Sequence, residues 1–146
     1  MSQDLSKEFV ASYHAAVFEA LGADADKYNV KIGILLASHL LKKLNQLPEN
    51  KDEFKVLIED YLSGAFKFAD IAKFTFNNDG SAYLYIKGCV ICQGNEILRN
   101  QKGRGFCPIC HLVKSSLAKS LKMKVELVGS EKPGPVGECY LKYRVE

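Results

Sequence analysis

Hydrophobic residues recur at helical spacing through the first third of the chain: Leu5, Phe9, Tyr13, Ala16, Val17, Ala20 and Leu21 form one stripe, closed by Gly22. After the polar Ala23-Asp24-Ala25-Asp26 link, a second helix is expected from near Asp26 to Gln46, ended by Leu47-Pro48. Its centre, Ile32-Gly33-Ile34-Leu35-Leu36-Ala37, is apolar on nearly every face, the mark of a helix buried on most sides or lining a partner. Within it, His39 reads as a satisfied core histidine and Gly33 as a position of close packing. A third helix starts near Asn50 and carries Phe54, Leu57, Ile58, Tyr61, Leu62 and Ala65 on one stripe. Beyond Phe68 the period becomes two. Ile71 to Phe76 and Ser81 to Lys87 read as strands joined by Asn77-Asn78-Asp79-Gly80, where Asp-Gly supplies the positive φ a tight hairpin needs. A polar loop is expected from Gln93 to Gly105. Pro108 then opens a helix striped by Leu112, Val113, Ser116, Leu117 and Leu121, with Cys107 as its half-in first residue. Lys124 to Val128 and Tyr140 to Val145 make two further strands, separated by Gly129 to Glu138. The predicted fold class is α+β, with N-terminal helices packed on a small antiparallel sheet and a cysteine-rich loop and a helix between the strands. One domain spans residues 1–146, helical over residues 1–68 and sheet-forming over residues 69–146.

Length supports a single domain, since 146 residues can bury about two-thirds of their unfolded surface without disulfides. Charged residues at 25% and hydrophobic ones at 47% are ordinary for a globular protein, and no apolar run approaches a membrane span. The start, MSQDLSKEF, has no secretory pattern, which predicts a cytoplasmic protein. The net charge of +3 is unevenly spread. From Ile97 to Val125 there is no acid, while Arg99, Lys102, Arg104, Lys114, Lys119, Lys122 and Lys124 lie there. That stretch makes an anionic partner conceivable, but no aromatic residues alternate with its cations, so a solvated face is preferred to a nucleic-acid interface.

Candidate chemistry resides in the cysteines. Cys89-Val-Ile-Cys92 and Cys107-Pro-Ile-Cys110 hold four of the five, with fourteen residues between the pairs. Each pair sets two sulfurs at one turn, and four soft thiolates suit the tetrahedral preference of structural zinc sites. Disulfides are disfavoured in a reducing compartment, a thioredoxin-like dithiol comes singly beside a βαβ pattern, and Cys107–His111 as a haem attachment would need export. An iron–sulfur cluster also takes four cysteines and stays open as the alternative cofactor. His111 reads as an ordinary side chain, since four cysteines suffice.

The C-terminal half resembles a known family. Cys110-His-Leu-Val113 with Leu117-Ala118, the strand Lys124-Val-Glu-Leu-Val128, and Pro133-Gly-Pro-Val-Gly-Glu-Cys139-Tyr-Leu-Lys-Tyr143 look like the end of the 4-vinyl reductase domain. The resemblance covers roughly Tyr83 to Glu146; the preceding helices agree in order only. It implies a fold similar to ligand-binding domains of nitric-oxide sensors and vesicle-tethering proteins, and binding of small, often hydrophobic molecules near a zinc. It also implies a metal ligand from Cys89 or Cys92, one from Cys107 or Cys110, and one from Cys139. A further family cysteine falls near Glu131 here, which makes Glu131 a candidate oxygen ligand. Spacing alone favours Cys89, Cys92, Cys107 and Cys110, with Cys139 and Glu131 as substitutes. Where the family has glycines after the helix's first turn, this chain has Ser115 and Lys119.

No paired carboxylates, supported Ser-His-Asp order or phosphate loop accompanies these cysteines, so an enzyme is the less favoured class. The expectation is a zinc-containing binding or sensor module for a small hydrophobic molecule, its metal structural, with homodimerisation suggested by the apolar second helix. The alternatives are an iron–sulfur or thiolate redox protein and a zinc-ribbon-like nucleic-acid-binding protein.

Overall fold

The computed structural model describes residues 6–65, 69–102, 105–131 and 137–146. Leu5, Phe66, Phe68, Arg104 and Pro133 to Val136 lie outside the described residues. Helix α1 runs Lys7–Leu21 and begins where Ser6 accepts the Phe9 N–H, a side-chain cap for an otherwise unpaired donor. Gly22 ends it at φ +58°. The expected polar link is instead one turn of 3₁₀ helix, Gly22–Asp24, leading directly into α2, Ala25–Lys42. Helix α2 stops short of Gln46 because its last turn tightens, with Lys43 and Leu44 donating to Leu40 and Leu41 three residues back.

Asn50 caps α3, Lys51–Asp60, by accepting the Glu53 N–H, while the Glu53 carboxylate takes the Glu49 N–H in return. A π turn, Tyr61–Ala65, follows. Strands β1, Ile71–Phe76, and β2, Ser81–Lys87, form the hairpin with the predicted bounds, Gly80 standing at φ +88°. Helices α4, Val90–Lys102, and α5, Pro108–Leu121, precede β3, Val125–Glu131, and β4, Cys139–Val145. The sheet is antiparallel in the order β1-β2-β4-β3. Strand β3 extends past Val128 because a bulge between Leu127 and Gly129 restores pairing of Gly129, Ser130 and Glu131 with Lys142, Leu141 and Tyr140.

The segment expected as a polar loop is mostly helix α4. Its Gln-Gly-Asn-Glu sequence misleads because two of those residues serve tertiary contact. A Cβ on Gly94 would stand 2.7 Å from the Ala11 carbonyl oxygen, so glycine there lets α1 and α4 meet closely. Asn95 is buried between hydrogen-bond partners, and with Ile91 and Leu98 it forms the inward stripe.

On the sheet's core face α3 packs on β1 and α5 on β3, while α2 packs on α5 and α1 on α4. Alternating Ala72, Phe74, Ala82, Leu84, Ile86, Leu141, Tyr143 and Val145 point into the main core. A smaller core forms around Phe18 and Phe106, whose rings stack 5.1 Å apart. Gly33 is the close-packing position expected of it, since a Cβ there would lie 2.4 Å from the His111 Cβ. His39, in contrast, is exposed. So are Tyr28, Val30, Ile34 and Leu35, because α2 buries only the Ala25, Asn29, Gly33, Ala37, Leu40 stripe.

Candidate metal centre

Each Cys-x-x-Cys pair straddles the start of a helix. Cys89 leaves β2 through Gly88 at φ +75°, and Cys92 lies in the first turn of α4. Cys107 is the N-terminal cap residue of α5, with Pro108 in the first turn and Cys110 behind it. Cys139 opens β4, opposite Ile86 of β2. Unpaired N–H groups and the helix dipole favour thiolate at both helix starts. Gly137, at φ +97°, holds the first pair in place by accepting the Cys89 N–H at 2.9 Å. The buried Tyr143 hydroxyl donates to the Cys110 carbonyl at 2.8 Å and ties β4 to α5.

All five thiols share one electrostatic neighbourhood. Cys89, Cys92, Cys110 and Cys139 are buried and Cys107 is half-buried. The Cys92 and Cys139 sulfurs stand 3.9 Å apart. Hydrogen bonds from Cys139 and then Cys89 pull the Cys92 thiol down to about 4, against its burial and with help from the charges of Arg99 and His14. Donating to Cys92, together with burial, pushes Cys89 and Cys139 well up. Cys107 is pushed up by its hydrogen bond with Cys110 and by burial. Cys92 is therefore the thiol of this group most disposed to ionise, and a thiolate there disfavours ionisation of Cys89 and Cys139 beside it.

Among the described residues, no group of three or more His, Cys, Asp or Glu side chains is arranged to hold an ion. The sulfurs instead hydrogen-bond among themselves, Cys92 with Cys89 and Cys139, and Cys107 with Cys110. Their chemistry nevertheless suits a soft, tetrahedral metal, with Cys89, Cys92, Cys107, Cys110 and Cys139 available. Of the two substitute ligands, Cys139 reaches the thiols, whereas Glu131 is exposed on β3 with its carboxylate on Lys142. His111 packs against Gly33, its imidazole pKa lowered by burial and by Lys114.

Two residues beside the thiols carry no motif in the sequence and emerge only in the fold. Asn95 Oδ1 accepts the Phe106 N–H at 2.8 Å and meets His14 Nε2 at 2.9 Å, which assigns the Nε2–H tautomer to His14. Burial lowers the His14 pKa, opposed by Asn95, Phe106 and the charge at Cys92. The available signal was a histidine inside an apolar stripe with Ala11, Ala15 and Phe18.

A depression of about 540 Å³ separates Lys51, Asp52 and Lys55 of α3 from Phe74, Phe76 and the hairpin turn.

The fold has a known counterpart. A crystal structure of a trafficking protein particle complex subunit 3 from Naegleria fowleri, covalently bound to palmitic acid, matches with a TM-score of 0.51 over 96% of this chain and 95% of that one. Identity is 15%, so the likeness shows the α+β architecture and nothing finer. No family model and no curated protein matches the chain. Among the described residues, no helix is long and apolar enough to cross a membrane.

Proposed function

We propose that this protein is a zinc-containing module of 4-vinyl reductase type that binds a small hydrophobic molecule, its metal serving structure. The observation that supports the metal is the placement of the thiols: each Cys-x-x-Cys pair straddles a helix start, and the Cys92 and Cys139 sulfurs stand 3.9 Å apart. A divalent cation bound there would deprotonate its ligands, since metal binding releases protons from thiols. Cys89, Cys92, Cys107 and Cys110 are the assigned holders, and Cys139 the substitute. Zinc here would tie β2, α4, α5 and β4 into one unit and supply no reaction step.

The ligand class draws support from architecture. The structural counterpart is described as carrying palmitic acid, and a long acyl chain is the hydrophobic molecule we assign as the first to test. The uncovered apolar side chains of α2, Tyr28, Val30, Ile34 and Leu35, support a homodimer.

Native mass spectrometry on protein isolated without added lipid tests this reading. A bound organic mass that organic solvent extracts or thioester cleavage releases is expected. A chain that carries only its own mass, and that takes up no palmitic acid on incubation, would overturn the ligand assignment.

A further inference from the structure

The face of the sheet turned away from the helices carries a pattern that its core face does not. On β1 the outward positions are Ile71, Lys73 and Thr75; on β2, Ser81, Tyr83, Tyr85 and Lys87; on β4, Tyr140, Lys142 and Arg144. These ten positions hold three tyrosines, four cations and no acid. Strand pairing sets them in rows. Lys73, Tyr85 and Tyr140 lie side by side across the three strands, Thr75, Tyr83 and Lys142 in the next row, and Ser81 beside Arg144 beyond it. Each tyrosine thus has a cation or another tyrosine beside it, with Lys73 next to Tyr85 and Lys142 next to Tyr83, an adjacency that the basic stretch from Ile97 to Val125 lacks.

The ring geometry leaves aromatic faces available. Tyr85 and Tyr140 are tilted by 40° at 4.9 Å, and Tyr83 meets Tyr140 edge-on, at 74° and 6.0 Å. No ring of the three is covered by another of them in a parallel stack. At one end, Tyr83, Lys142 and Arg144 line a depression of about 330 Å³. Among the described residues the acids lie along the β3 side: Glu126 pairs across from Arg144, Glu131 across from Tyr140 with its carboxylate on Lys142, and Glu138 accepts a hydrogen bond from the Tyr85 hydroxyl.

We propose that this outer sheet face binds single-stranded nucleic acid, with bases stacking on Tyr83, Tyr85 and Tyr140 and phosphates meeting Lys73, Lys87 and Arg144. Unpaired bases fit a row of tyrosines because each base presents a π-face, while paired bases in a duplex do not. Spaced cations match a backbone that carries one charge per nucleotide. A protein partner is the poorer match, because lysine is depleted at the centre of protein interfaces and here occupies the middle rows. This site is separate from the thiol cluster and stands whatever ligand the helical side binds.

Fluorescence anisotropy with a labelled oligouridine of about 12 nucleotides tests the assignment on the full chain. Binding is expected at about 50 mM salt, weakening steeply towards about 200 mM. Tyr85→Ala and Tyr140→Ala should each weaken it about ten-fold or more, while Tyr140→Phe, which keeps the ring, should bind as the parent does. Lys73→Gln should lower the slope of log affinity against log salt by about 0.7. A duplex of matched length should compete poorly. Absence of binding at the lower salt would overturn the proposal. So would equal competition by duplex, or tyrosine-to-alanine variants that fold and bind like the parent, since charge alone would then account for binding. Should the alanine variants fail to fold, loss of binding in folded Tyr140→Phe, or an unchanged salt slope in Lys73→Gln, would also overturn it.

Discussion

At the scale of single residues, the account rests on five sulfurs and one histidine. Zinc bound to thiolates commonly contributes on the order of ten kcal/mol of apparent binding energy, so loss of a true ligand is felt in folding as well as in metal content. Cys107→Ser or Cys110→Ser is expected to reduce zinc below one per chain and to lower the melting temperature, read by elemental analysis and calorimetry. Cys139→Ser separates the two ligand sets: full zinc marks Cys139 as a bystander donor to Cys92, and loss of zinc marks it as a ligand. Spacing alone singles out the first four cysteines as candidates. Cys139 was legible only through the resemblance, because nothing in one chain's sequence says that a cysteine 47 residues downstream of Cys92 returns to within 3.9 Å of it. His14 gives a pH signature. Burial holds it neutral in the folded chain, so below about pH 6.5 the unfolded chain takes up a proton that the folded one refuses. Stability should therefore fall as pH drops below that value and level off once the lowered folded pKa is passed. His14→Gln should show a shallower loss between about pH 7 and pH 5 in calorimetric scans. Parallel curves for the two proteins would remove His14 from the account.

Secondary elements are legible in the sequence where period and punctuation agree. The β1–β2 hairpin has its predicted bounds because alternation ends at Asn77 and resumes after Gly80, and Pro108 marks the start of α5 for a local steric reason. Helix α4 escapes sequence reasoning because tertiary contact, not propensity, chose its residues: Gly94 admits α1, and Asn95 joins Phe106 to His14. The same logic predicts the fate of Gly33. Alanine there gains about 1 kcal/mol of intrinsic helix preference, but its Cβ would stand 2.7 Å from the Pro108 carbonyl oxygen and closer still to His111. Backbone must move to admit it, so Gly33→Ala should lower stability by about 1–3 kcal/mol in chemical denaturation. A neutral or stabilised variant would mean that α2 and α5 yield more easily than their packing indicates.

For the whole molecule, the α+β class was legible from a switch of period near Phe68, whereas the strand order was not, since pairing β2 with β4 brings together segments separated by two helices. That pairing also gathers the thiols. It carries Cys139 to the end of β2, beside the pair that follows it, while α5 delivers the other pair from behind. The apolar second helix was expected to be buried or to line a partner, and within one chain it leaves Ile34 and Leu35 43% and 49% exposed. A homodimer through this face predicts that Ile34→Glu with Leu35→Glu yields a folded monomer in sedimentation from a dimeric parent; a parent that is itself monomeric at micromolar concentration would contradict it.

Metal identity bears most directly on the central claim. Elemental analysis and an absorption spectrum of anaerobically purified full-length protein should give one zinc per chain and no visible colour. Iron with sulfide and visible absorption, or a stably folded chain that holds no metal even after incubation with zinc, would contradict a structural zinc at the cysteine cluster.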